Sequence, residues 1–250
     1  MAALRLLIIS LCAALLLTVV PSASAIIGGT SDPTRSYVVF VGQNTRDSSG
    51  KRNACTGVLV APTVVLTAAH CGLIDGVAPD GQPFTIFQGP AIGSPPIDMG
   101  LFYAHPDFSF GGNSTPNFAG NDLAVIRLLA PLPGPYATLP EAGLVDTLNG
   151  STRVTISGYG VSEIKGNDPN PASAGVRRTA DAKLAGGGVL GDGFLKVVGG
   201  LCFGDSGGPV LLGSVVLAVN SFAPEACRST SYATRLDTPS ARAFLAQFGV

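Results

Sequence analysis

The stretch Val58-Leu59-Val60-Ala61-Pro62-Thr63-Val64-Val65-Leu66-Thr67 reads as strand, turn, strand: two short β-branched runs joined at Ala61-Pro62-Thr63. The same bounded character returns in Leu123–Leu129, Arg153–Ser157, Val210–Leu212, Val215–Asn220 and Ser231–Leu236. Between these runs Gly, Pro and Asn collect in loops at Gly42–Asn53, Gly72–Pro83, Gly111–Gly120, Gly166–Gly175 and Gly186–Gly193. Long helical periodicity is missing until the end. There Thr238 is placed to cap, Pro239 sits where a first turn needs no N–H, and Ala243, Phe244 and Phe248 form the expected inward face. The pattern predicts an all-β chain with a C-terminal helix, built as two small barrels or sandwiches packed together.

Composition bounds the function. Of 250 residues 46% are hydrophobic and only 12% charged, with a mean hydropathy of +0.41; the charged fraction is about half the roughly 25% of an ordinary soluble domain. Fifteen Lys+Arg against sixteen Asp+Glu leave a net charge of −1, which supplies neither the basic footprint of a nucleic-acid binder nor an acidic solvating tail. Part of the apolar excess lies at the start, where Arg5 precedes an apolar run from Leu6 to Val20, followed by Pro21-Ser22-Ala23-Ser24-Ala25. That order is a secretory signal. The run is interrupted by Ser10, Cys12 and Thr18 and falls short of the ~20 residues a membrane span needs. Cleavage after Ala25 gives a chain beginning at Ile26. No later stretch reaches spanning length, so the expected product is exported, extracellular or periplasmic, and free of the membrane.

Loss of residues 1–25 removes Cys12 and leaves Cys55, Cys71, Cys202 and Cys227. An even count in an exported chain favours two disulfides, and of the three connectivities 55–71 with 202–227 is the most local. No Cys-x2-Cys or His-x3-His spacing points to zinc, and no metal or cofactor is expected. Asn113-Ser114-Thr115 and Asn149-Gly150-Ser151 fit the glycosylation acceptor pattern in surface loops.

The chemistry concentrates in three places. With only two histidines in the chain, any imidazole base is His70 or His105. His70 lies just after a strand in Thr67-Ala68-Ala69-His70-Cys71, whereas His105-Pro106-Asp107 reads as a turn. Asn121-Asp122 opens the apolar strand Leu123–Leu129 and places a carboxylate at a buried strand entrance. In Gly204-Asp205-Ser206-Gly207-Gly208-Pro209 the glycines let backbone N–H groups converge on one oxygen, with one hydroxyl exposed among them.

At these residues, together with Ile26-Ile27-Gly28-Gly29, the chain resembles a chymotrypsin-like serine protease from Ile26 to the terminal helix. The resemblance implies two packed six-stranded antiparallel Greek-key barrels over residues 26–250, with the halves meeting near 130–150. It implies Ser206 as nucleophile, His70 as base, Asp122 as the group fixing the imidazole tautomer, and the N–H groups of Gly204 and Ser206 as the oxyanion hole. It also pairs the new amine of Ile26 with Asp205, and disulfides Cys55–Cys71 and Cys202–Cys227. The specificity pocket falls on Gly200, Ser221, Phe222, Ala223 and Thr230. Gly200 offers no carboxylate for Lys or Arg, and side chains at Ala223 and Thr230 would narrow the pocket, so small or medium aliphatic residues are expected before the cut bond.

This sequence departs from the family's pattern in places. Tyr159 stands where Trp is frequent, the Gly-rich stretch Ala182–Gly200 lacks expected cysteines, and Asp75 and Asp80 lack the neighbours of a calcium loop. The implied activity is secreted peptide-bond hydrolysis through an acyl-enzyme by a monomer. Its partners are polypeptide substrates and protein protease inhibitors. The alternative is a silent homologue that binds or adheres without turnover.

Overall fold

A computed structural model describes residues 26–250 apart from 94–97, 112–118, 191–192, 225–226 and 228. The export segment expected over 1–25 and the acceptor Asn113 lie outside the described residues. The first barrel comprises β1 (Val38–Gln43), β2 (Ala54–Ala61), β3 (Val64–Thr67), β4 (Pro83–Phe87), β5 (Asp98–Ala104) and β6 (Ala124–Leu128). It closes in the order β1-β2-β3-β6-β5-β4, every pairing antiparallel. The second comprises β7 (Arg153–Gly158), β8 (Arg178–Leu190), β9 (Phe194–Val198), β10 (Pro209–Leu212), β11 (Val215–Phe222) and β12 (Thr230–Arg235). Its ring runs β7-β8-β9-β12-β11-β10, which is the first barrel's order repeated. Helix α1 (Pro239–Ala246) follows.

The apolar composition follows from how these barrels meet. In β3 all four residues are buried. Val65 points into the first barrel with Phe84, Ile86 and Phe102, while Val64 and Leu66 face outward against Leu211, Val216 and Val219 of the second. A strand covered on both faces is apolar at consecutive positions rather than alternating, and each such Val or Leu contributes roughly 1.5–3 kcal/mol of burial. The connecting segment is tied to both halves, Ala137 N–H donating to Leu59 O (3.0 Å) and Thr138 N–H to Ser214 O (3.0 Å).

Two local expectations are corrected. Ala243 is exposed, and the inward face of α1 is Ala241, Phe244 and Leu245 with Phe248 partly buried, the i, i+3, i+4, i+7 set counted from Ala241. Thr238 caps as expected, its Oγ1 accepting from Ala241 N–H at 3.2 Å. The glycines at 186–188 fall within β8 rather than in a loop, at an irregularity of its ladder with β9 between Leu184 and Val189, where glycine is readily accommodated; residues 191–192 of the expected loop lie outside the described residues.

A buried cation joins the two halves. Arg177 is 1% exposed, and its guanidinium donates to main-chain oxygens of Asp32 (2.9 Å), Val38 (3.0 Å) and Gln88 (2.9 Å) and to the Tyr159 hydroxyl (3.1 Å). That hydroxyl in turn donates to Gly89 O at 2.6 Å. Dispersing the charge over several carbonyl dipoles is what makes burial without a contacting carboxylate tolerable.

Candidate active site

Three loops meet between the barrels. His70 lies on a 3-10 turn (Ala69–Gly72) directly after β3, Asp122 precedes β6, and Ser206 precedes β10. The disulfide Cys55–Cys71, with Cα atoms 6.3 Å apart, ties the His70 turn to β2; closing a loop of this size stabilises by roughly 3 kcal/mol. The second disulfide, Cys202–Cys227, brackets the Ser206 loop.

Asp122 is fully buried and accepts from three donors. Oδ1 accepts from His70 N–H at 2.8 Å, while Oδ2 accepts from His70 Nδ1 at 2.7 Å and from the Ser221 hydroxyl. An acceptor-only carboxylate on Nδ1 requires the proton there, which makes Nε2 the basic nitrogen of the neutral ring. Burial alone would raise the Asp122 pKa, but the imidazole beside it and the hydrogen bonds from His70 and Ser221 hold it below the carboxylate range. His70 mirrors this. Burial pulls its pKa down, and the Asp122 charge outweighs that and holds it above the ordinary imidazole value.

Ser206 is clamped from both barrels. Thr56 on β2 donates its N–H to Ser206 O (2.9 Å) and its hydroxyl to Gly204 O (2.8 Å). From β11, Asn220 accepts Gly207 N–H at 2.6 Å and donates to Gly208 O at 2.8 Å. Gly207 has φ +78°, and a Cβ there would fall 2.2 Å from Thr67 Oγ1 and 2.5 Å from Thr56 O, so only glycine lets the loop lie this close. The Cys71 sulfur lies 4.0 Å from His70 Nε2 and 3.9 Å from Ser206 O, which brings the His70 ring and the Ser206 main chain to the same sulfur.

Asp205, 1% exposed, accepts Gly160 N–H on Oδ1 (2.9 Å) and Cys202 N–H on Oδ2 (3.0 Å). Burial outweighs both bonds and pushes its pKa to about 7. Ile26 is fully buried, and Ile27 N–H donates to Gly200 O at 2.7 Å.

The cleft beside Ser206 is lined by Leu201, Cys202, Asp205, Asn220, Ser221, Phe222 and Ala223 around a volume of about 10 Å³, room for roughly one water. Gly200 and Thr230 lie outside that lining, Thr230 in the ladder opposite Val198. Gly200 is pressed on the N-terminal segment, where an added Cβ would sit 2.1 Å from Ile27 O. Gly200→Asp is therefore expected to dislodge Ile27, lower stability by about 1–3 kcal/mol in thermal unfolding, and create no cleavage after Lys or Arg. An unchanged melting temperature would refute this.

Sequence reading missed Thr56, Asn220, Arg177 and Tyr159's bridging role. For Thr56 the available signal was a hydroxyl in the otherwise apolar run Ala54–Ala61. Asp75 and Asp80 hold loops, accepting from Ser48 Oγ (2.6 Å) and Ala104 N–H (2.9 Å). His105 opens the expected turn, its main-chain oxygen accepting from Phe108 N–H at 2.9 Å, and is buried there, its Nδ1 accepting from Asp107 N–H at 3.1 Å and its ring against Phe244. Asn149 is exposed in a turn, and its Oδ1 accepts from Ser151 N–H (2.9 Å). No helix among the described residues is long and apolar enough to cross a membrane.

Comparison with known proteins follows the same lines. The family model described as Trypsin matches residues 26–243. Serine protease SP24D of Anopheles gambiae is 28% identical over 189 residues, covering 73% of this chain and 67% of that protein. Among solved structures, HL collagenase superposes with a TM-score of 0.70 at 19% identity, covering 90% of this chain and 99% of that one. The scabies mite inactivated protease paralogue S-D1 gives 0.66 at 18% identity, covering 89% and 97%. At such identities the likeness is one of fold.

Proposed function

This chain belongs to the trypsin family of serine proteases, and on that premise we propose that it is an active, secreted serine endopeptidase working as a monomer on polypeptides. The observation that carries this reading is the buried Asp122 carboxylate, whose bond to Nδ1 fixes the His70 tautomer with Nε2 as the basic nitrogen. Ser206 Oγ attacks the carbonyl carbon as Nε2 takes its proton. The N–H groups of Gly204 and Ser206 receive the developing oxyanion, an interaction worth roughly 2.7–4 kcal/mol per donor. Imidazolium then returns the proton to the leaving amine, and water releases the acyl group by the same route. Thr56 and Asn220 hold the nucleophile loop so that these positions are set before substrate arrives.

The shallow cleft walled by Phe222 and Ala223 favours small or medium apolar side chains before the cut bond. Each added or missing methylene is worth only about 1–3 kcal/mol there, so the preference is graded. Protein inhibitors that present such a side chain are expected to bind the same cleft.

Architecture does not decide turnover, since an inactivated paralogue shares it. A serine-directed fluorophosphonate does. Label is expected on Ser206 of the chain beginning at Ile26, and a peptide library should show cleavage after small side chains. Folded, correctly processed protein that takes no label would favour a silent binding protein, and dominant cleavage after Lys or Arg would overturn the specificity.

A further inference from the structure

We infer that Thr56 is a positioning residue for the oxyanion hole, its hydroxyl fixing the direction of the Gly204 N–H from the opposite barrel; this rests on the endopeptidase reading above. Thr56 is fully buried on β2 of the first barrel, whereas Gly204 belongs to the loop that leads into β10 of the second. The Thr56 hydroxyl accepts Tyr159 N–H at 3.0 Å and donates to Gly204 O at 2.8 Å. A carbonyl oxygen only accepts and an N–H only donates, so the sense of both bonds is fixed.

Gly204 stands between two peptide planes, and each is tied. The Phe203–Gly204 plane, which carries the Gly204 N–H, is held by Phe203 O accepting Val161 N–H at 2.8 Å. A trans peptide points its N–H opposite to its C=O, so this bond turns the Gly204 N–H away from Val161. In the Gly204–Asp205 plane the oxygen meets Thr56, and Asp205 N–H donates to Cys202 O at 3.1 Å. Gly204 has φ +94°, and a residue without a Cβ has little preference of its own, so the planes keep their directions through these bonds. Neither the Gly204 N–H nor the Ser206 N–H has a partner among the described residues, which leaves two donors for an incoming oxygen. Of the three ties on Gly204, that of Thr56 alone comes from a side chain. It bears on both planes, directly through Gly204 O and also through Tyr159, two residues from Val161.

The test compares Thr56→Val, which keeps nearly the same shape without the hydroxyl, and Thr56→Ser, which keeps the hydroxyl, in the chain beginning at Ile26. Each is measured for kcat and KM on a peptide with Ala before the scissile bond, and for inhibition by the matching peptide aldehyde, whose tetrahedral adduct on Ser206 puts an oxygen into the hole. Thr56→Val is expected to lower kcat and weaken the aldehyde by about tenfold to a hundredfold, with KM changed by less than about twofold. Thr56→Ser should restore both, and the pH midpoint set by His70 should be the same in all three proteins. A folded Thr56→Val with kcat and aldehyde affinity within about twofold of wild type overturns this inference alone, as does a loss confined to KM. A Thr56→Ser variant as impaired as Thr56→Val also overturns it, since the hydroxyl is then not the group that matters. Where Thr56→Val does not fold, Thr56→Ala is judged by the same criteria, and failure of both to fold overturns the inference by making the hydroxyl a requirement of the fold. Wild-type protein that neither hydrolyses peptide nor takes fluorophosphonate overturns the endopeptidase reading along with it.

Discussion

Replacing Asp122 by asparagine is expected to lower kcat about ten-thousandfold at neutral pH while leaving the protein folded. The carboxylate faces donors on both oxygens: His70 N–H on Oδ1, and His70 Nδ1 with the Ser221 hydroxyl on Oδ2. An asparagine can keep its oxygen toward the fixed main-chain N–H, and its amino group then meets Nδ1. The imidazole responds by moving its proton to Nε2, since Nδ1 must now accept. Nε2 thereby loses the lone pair that receives the Ser206 proton, and the Ser221 hydroxyl rotates to accept instead of donate. Every buried polar group finds a partner, so stability is largely kept, while the base is lost.

The same substitution has a pH signature. In the wild type the base form of His70 is needed, so activity rises with pH through a pKa held above 6.5 by the Asp122 charge against the opposing effect of burial. With that charge gone only burial remains, and the residual activity should titrate below the wild-type midpoint. Pre-steady-state kinetics from pH 5 to 9, with circular dichroism as the folding control, measure both effects. A loss smaller than about tenfold would mean that Asp122 is not the orienting group.

The loops that carry the site were legible because their chemistry is local. A histidine beside a cysteine, an acid at a strand entrance and a serine among glycines each mark a backbone requirement that short motifs retain. What lay hidden is what acts across the barrel interface. Thr56 reaches the main-chain oxygens of Ser206 and Gly204 across about 150 positions of chain, and Arg177 reaches carbonyls of Asp32, Val38 and Gln88. No periodicity encodes such pairings. The repeated strand order of the two barrels is equally silent, because pairing order depends on backbone hydrogen bonds that many sequences satisfy. Gly200 illustrates a subtler limit. Counting back from Ser206 finds the position, but only packing shows that Ile27 occupies the space its side chain would need.

The second large effect concerns Asp205. Unpaired, this carboxyl has its folded pKa raised from 3.8 to about 7 by burial, despite the N–H groups of Cys202 and Gly160. The sign follows from proton counting. Between these two values the folded state holds a proton that the unfolded state has released, so stability falls as pH rises through that window. Above it the penalty is complete, on the order of 4 kcal/mol. An ammonium on Ile26, set free by cleavage after Ala25, would reverse this by favouring the carboxylate. The chain beginning at Ile26 is therefore expected to exceed a chain extended upstream by several kcal/mol of stability at pH 8. The difference should shrink toward pH 5, where the unpaired Asp205 is protonated.

Asp205→Asn should then act with opposite signs in the two forms. In the extended chain it removes an unpaired buried charge and stabilises at pH 8. In the processed chain it strands a buried ammonium, destabilises, and lowers kcat by about a hundredfold as the Gly204 and Ser206 N–H groups lose their order. Chemical denaturation of the four species at pH 5 and pH 8, with kcat on the processed pair, reads the crossing directly. Equal effects of Asp205→Asn in both forms would show that Ile26 and Asp205 do not pair, and that cleavage exports the chain without switching the site on.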